Sequence, residues 1–489
     1  MKDMLMGSIA MMAVVSLASC SANSDFDNTN TTDPNTKESV LSPVEFGTYL
    51  AQSKNTRAGE FTRASEMTTT ELETTGFGVM AFYTESTQYE AGQTSKEPNF
   101  MYNTDVSIKS GDKDWSYSPI KYWPNGGQTG DATPLDATQY LSFFAYAPYK
   151  EVVDKKTGST GSDTGITALS ANAAKGDPTV TYALGATDAN ADLLWGTAGT
   201  NGTTTSGKTA QEGTNFSGKA KVNANLTKMK VDGKVQFNFL HALAKFGGTG
   251  AGTAPKTSGL MVVADIDNGS ATTGGTLDGN TTKITVKSIK IESVKAGTDG
   301  KMAKDASIPT SGTLNLATGV WTTTDTNNGK IDYEINSKAV TTTATAGATT
   351  QTMNDDIAEP ASVSSWNDLS SVTGVTTTPQ SVYTETTPLL IIPDGKDHVF
   401  RITIDYIVRT KDEALHQGYT QVEQSFYKDL TLKTVSLNAK YNLLIHLGLT
   451  SVKFDATVTD WTNTVNGGTE SGNTTDTDPM VIYMPANVK

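Results

Sequence analysis

Between residues 388 and 461 apolar and polar side chains alternate in four successive runs. In the first, Phe400, Ile402, Ile404, Tyr406 and Val408 fall on one side, and Arg401, Thr403, Asp405 and Arg409 on the other. Leu430 and Leu432 repeat the pattern. Tyr441, Leu443, Ile445, Leu447 and Leu449 then alternate with Asn442 and His446, and Val452, Phe454, Ala456 and Val458 with Lys453, Asp455, Thr457 and Thr459. A period of two is that of a strand covered on one face, so the four runs predict an antiparallel meander with one wet face. Its apolar face needs a second layer. No long helical pattern lies nearby to supply one, and a β-sandwich follows.

The same reading upstream gives a first strand over 40–50, where Val44, Phe46, Thr48 and Leu50 alternate with Glu45, Gly47 and Tyr49. Strands are then expected at 77–83, 100–108, 117–123, 141–147, 180–182, 192–195 and 235–239. Phe77, Tyr122, Trp123, Phe143, Phe144, Tyr146 and Trp195 are enough to fill their core. The polar loops 155–176 and 196–218 have the composition of unstructured chain. The glycine-rich stretch 247–252 marks a domain boundary. Beyond it, strands at 260–266, 284–294, 314–321 and 331–335 and a Thr-rich insertion at 341–380 lead into the meander. The expected fold is all-β: two tandem β-sandwich domains, 58–246 and 247–461, with long polar loops.

The chain has 489 residues, 36% of them apolar and only 18% charged, a balance made up by Thr, Gly, Asn and Ser that suits an extracellular β-protein. A net charge of −14 with no basic cluster argues against nucleic acid as a partner. The single cysteine, Cys20, leaves no intrachain disulfide and no cysteine zinc site. Lys2, the apolar run 9–18 and Leu17-Ala-Ser-Cys20 have the form of a lipoprotein signal peptide over 1–20. Acylation of Cys20 would hold the protein to membrane lipid, with 21–57 as tether and first strand. Arg57 and Arg63, two of four arginines in the chain, lie in the polar segment 51–75. Exposed linkers are where proteases cut; the alternative is that the two are ordinary surface arginines.

Candidate chemistry is sparse. Gly202-Thr-Thr-Thr-Ser-Gly-Lys-Thr209 fits the P-loop spacing but lacks the flanking strand and helix that bind phosphate. Asp265, Asp267 and Gly269 could open a calcium loop, but no distant bidentate Glu follows, and a turn is the simpler reading. Asp112 with Asp114, and Asp355 with Asp356, are neighbouring loop carboxylates with no cleft to separate their pKa values. His241, His398, His416 and His446 show no metal-ligand spacing, and there is no nucleophile elbow. No cofactor, no metal and no enzymatic activity are expected.

Five blocks, in order, carry a family resemblance: Trp115-Ser-Tyr-Ser-Pro-Ile-Lys-Tyr-Trp-Pro124, Leu141-Ser-Phe-Phe-Ala-Tyr-Ala-Pro148, Asp192-Leu-Leu-Trp195, Val235-Gln-Phe-Asn-Phe-Leu-His-Ala-Leu-Ala-Lys245 and the run from Tyr441 to Trp461. Over about residues 40–465 the chain resembles the Bacteroides-type fimbrillin-like (Mfa-like) outer-membrane lipoprotein pilins. The resemblance implies transthyretin-like sandwiches and a structural or adhesive subunit of a surface fimbria. It also implies export as a lipoprotein and cutting by an arginine-directed protease at a position like Arg57 or Arg63, which frees a groove for strand exchange. The partners would be the processing protease and other pilin subunits, in a homopolymer or with accessory pilins. The tail 462–489 ends in Met480, Val481, Ile482, Tyr483 and Met484, apolar on both faces, which suits a donor strand; the alternative is an edge strand of its own domain. A different reading is a monomeric glycan-binding lipoprotein, with Trp115, Trp123, Trp321 and Trp366 as sugar platforms.

Overall fold

Two runs that do not alternate, Phe77–Tyr83 and Leu141–Ala147, lie at the centre of the N-terminal half, and every residue but Tyr83 is buried. The computed structural model describes residues 43–50, 67, 69–92, 95–109, 114–124, 139–162, 165–184, 192–199, 213–227, 234–246, 260–264, 277–298, 301–304, 308–323, 328–329, 332–340, 349–383, 389–448, 452–460 and 480–482. The first ten strands are β1 Glu45–Leu50, β2 Phe77–Tyr83, β3 Met101–Ile108, β4 Trp115–Ser116, β5 Leu141–Ala147, β6 Gly165–Leu169, β7 Thr179–Ala183, β8 Leu194–Ala198, β9 Asn223–Leu226 and β10 Lys234–His241. One sheet runs β1-β10-β8-β5-β2-β3-β4, with β9 also on β5.

Phe77, Val79, Ala81, Leu141, Phe143 and Ala145 face one core, while Met80, Phe82, Phe144 and Tyr146 face another. A strand covered on both sides has no reason to alternate, which explains the two continuous runs. The second core is closed by a sheet in which β6 and β7 join Ser311–Asn315 and Trp321–Thr322. Strands from either side of 247–252 thus meet in one sheet; that glycine-rich stretch itself lies outside the described residues. Trp195 donates its indole N–H to the Leu316 carbonyl and Trp321 to that of Ala242, tying the halves together at 2.8 Å each.

Several expectations are corrected. Loop 155–176 holds β6 and a hydrogen-bonded turn, with Gly158 N–H on Asp154 O and Leu169 N–H on Gly158 O. Gly158 has φ of +78°, and an added Cβ would lie 1.8 Å from the Leu169 carbonyl oxygen, so glycine is required there. Within the expected linker 51–75, Thr69–Thr75 forms a short helix, α1, whose Leu72 packs into the core beside Met67. No strand forms over 117–123: β4 ends at Ser116, and Tyr122 makes only an isolated bridge to Pro43 and is 43% exposed rather than core.

The C-terminal half is two facing sheets. One contains Thr349–Thr352, Asp332–Asn336, Thr282–Ala296, His398–Lys411 and Tyr419–Leu432 in that order. The other is centred on Ala439–Leu447, flanked by parallel Leu260–Ala264 and antiparallel Val452–Asp460. The four alternating runs are therefore not one meander. The chain crosses between sheets after Leu432, so that Ile402 and Tyr406 meet Tyr441 and Ile445 across a shared core. The second layer the apolar face demanded is the other half of the same segment. Buried Arg409, expected on the wet face, instead meets Glu359.

Candidate strand-exchange groove

The N-terminal sheet curls until its two end strands approach each other. β1 pairs in parallel with β10 from Glu45 opposite Lys234 to Leu50 opposite Phe239. On its other side it meets not a ladder but the segment that follows β3. Trp115 Nε1–H donates to Thr48 Oγ1 at 2.9 Å, and the Tyr117 hydroxyl donates to the Val44 carbonyl at 2.8 Å. Val44 N–H in turn donates to the Lys121 carbonyl at 2.8 Å, and Pro43 bridges Tyr122. Burial pushes the Tyr117 phenol above its ordinary range, against the backbone hydrogen bond at Lys121, so the hydroxyl stays a donor.

β1 is seated by its inward side chains. Val44 and Phe46 are buried, and the Phe46 ring lies 5.4 Å from Tyr117, 5.9 Å from Phe143, 6.0 Å from Phe237 and 6.2 Å from Phe77, centroid to centroid. Lifting β1 out would uncover these aromatics and one edge of β10 together.

Arg57 and Arg63 lie outside the described residues, between Leu50, the end of β1, and Met67. Met67 is the first described residue beyond the arginines. Met67 N–H donates at 3.1 Å to Oδ2 of buried Asp192, the same oxygen that lies 2.6 Å from His241 Nδ1. No local pattern in the sequence pairs His241 with Asp192, forty-nine residues away; His398 is similarly 2.8 Å from Asp394.

At the other end, Met480–Ile482 forms a strand antiparallel to Phe454–Ala456 at the edge of the chain's own C-terminal sheet. Tyr483 and Met484 lie outside the described residues, as do Cys20, Gly202 to Thr209, Asp265, Asp267 and Asp112. Of the four candidate sugar platforms, Trp123 and Trp321 are buried and cannot stack on a ligand, and half-buried Trp115 lies 5.0 Å from Phe77 and bonded to β1. Only Trp366 lies apart, with its backbone N–H on the carbonyl of Gln417 in the turn between His398–Lys411 and Tyr419–Leu432. Asp355 pairs with Lys338 in the open. Among the described residues no group of three or more His, Cys, Asp or Glu could hold a metal ion, and no helix is long and apolar enough to cross a membrane.

No protein-family model matches the chain, and no curated protein does. Among solved structures, the chain is similar to a fimbrial protein from Bacteroides vulgatus. Identity is 18% over 86% of this chain and 99% of that one, with a TM-score of 0.50. Candidate cell adhesion proteins from Bacteroides uniformis and Bacteroides ovatus align at 14% and 12% identity, over 86% and 88% of this chain and 99% and 100% of theirs, with TM-scores of 0.34 and 0.32. The first likeness shows a shared all-β fold, as the sequence blocks implied.

Proposed function

We propose that the protein is a structural or adhesive subunit of a bacterial surface fimbria that polymerises by β-strand exchange. The observation that carries this reading is β1: among the described residues it is the only strand ahead of Arg57 and Arg63, and it fills a groove from which a cut would free it covalently. In this reading the precursor is acylated on Cys20, held at the outer membrane, and cut at Arg57 or Arg63. The groove beside β10 then takes a strand from a neighbouring subunit. Parallel pairing is slightly the weaker kind, so an incoming antiparallel strand would gain on the one it replaces. The tail 480–484 is the donor. Before exchange it rests on its own Phe454–Ala456 through a three-residue ladder, whose hydrogen bonds contribute about 0.5–1.5 kcal/mol each and can be given up.

Deleting residues 479–489 should leave a folded monomer that no longer polymerises after arginine-directed cleavage, as read by sedimentation and circular dichroism. Assembly equal to that of the full chain would show that the tail is not the donor. Unfolding would show that it belongs to its own sheet.

A further inference from the structure

The segment 115–123 is anchored at both ends, by the pairing of β4 with β3 and by buried Trp123, 5.8 Å from Phe143. Between these anchors it holds β1 through two kinds of contact. Those to Val44 involve its backbone N–H and C=O, which any strand can provide. The third, from the Trp115 indole N–H, goes to a side-chain oxygen, that of Thr48, and so depends on sequence. Tyr117 has a second acceptor, the Lys121 carbonyl at 3.3 Å, and keeps a partner when β1 leaves. The Trp115 N–H has no such alternative among the contacts described for it. The groove therefore presents three positions, each two residues from the last: apolar at Val44, apolar at Phe46, and an acceptor at Thr48.

The tail can be laid on this pattern in either direction. Run parallel to β10, as β1 is, it offers Met480, Ile482 and Met484, three apolar side chains whose only acceptor for the indole is the weak thioether of Met484. Run antiparallel, it offers Ile482, Met480 and Asp478, two apolar side chains and then a carboxylate. Resting on the fimbrial reading above, we propose that Trp115 sets the direction and register of the replacing strand. The tail of a second copy enters antiparallel to β10, with Ile482, Met480 and Asp478 in the places of Val44, Phe46 and Thr48, and the Asp478 carboxylate accepts the Trp115 indole N–H.

The test uses the full chain cut once by an arginine-specific protease, held dilute enough that chains do not meet, and fluorescent peptides spanning residues 474–486. The native peptide is expected to bind roughly tenfold tighter than its Asp478→Leu form, since a charge-assisted hydrogen bond is lost. In Trp115→Phe protein that preference should shrink to within about twofold while both peptides still bind. Equal binding of the two peptides to the unaltered protein overturns the proposal and leaves the fimbrial reading standing, and needs no protein variant to fold. A preference that survives Trp115→Phe also overturns it. Failure of every tail peptide to bind overturns both.

Discussion

Replacing Phe46 by Ala is expected to destabilise the uncut protein by about 3–5 kcal/mol, the usual cost of removing a buried phenylalanine and leaving its cavity. The position is closed on four sides by Phe77, Tyr117, Phe143 and Phe237, and these rings stand on strands that cannot all move inward together. Guanidinium unfolding of the N-terminal half, followed by tryptophan fluorescence, reads the change. A loss below about 1 kcal/mol would mean that β1 contributes little to this core. The same substitution should speed release of β1 once the chain is cut, because only non-covalent contacts then hold the strand.

The second large effect is expected far from the groove. Arg409 is buried at the end of its strand, where its two terminal nitrogens donate to Glu359 Oε2 at 2.9 Å and Oε1 at 2.7 Å. Thr285 donates its hydroxyl to the same carboxylate, and the guanidinium lies 5.5 Å from the Tyr419 ring. Glu359→Ala leaves a buried charge without its partner and should cost about 3–5 kcal/mol. Glu359→Leu combined with Arg409→Met removes both charges and should cost far less, within about 1–2 kcal/mol of the parent. Equal losses for the single and the double change would contradict this account and point to packing rather than charge.

Much of the strand content was legible. Phe77–Tyr83 and Leu141–Ala147 begin and end where the apolar runs do, because a buried strand carries its own boundary in polar flanks such as Thr84 and Tyr140. Partners were not legible. Alternation shows that Tyr441 and Phe400 each face a core, but not that they face each other from different sheets, since a period of two is the same in a meander and in a sandwich. Arg409 read as solvent-facing because position alone was counted; its carboxylate partner comes from fifty residues upstream, beyond any local pattern. Tyr122 and Trp123 both read as core, yet only Trp123 is buried.

The groove was half legible. Val44 and Phe46 announced an inward face, but nothing local says that β1 lies parallel to a strand almost two hundred residues away. Nor does it say that Trp115 and Tyr117 close the sheet on its other side. Both depend on the curl of a sheet whose ends meet, a property of the whole strand order.

In the proposed assembly β1 must leave before subunits can join, and a reversible lock on β1 makes that dependence measurable. Glu45 and Lys234 are register partners at the rim of the β1–β10 ladder, one exposed and the other half-buried. Neighbouring strands lie about 4.8 Å apart, within reach of a disulfide. In a Cys20→Ser chain carrying Glu45→Cys and Lys234→Cys, the oxidised protein should be cut at Arg57 or Arg63 yet stay monomeric in sedimentation, and polymerise once reduced. Polymers formed equally well by the oxidised, cut protein would contradict the account.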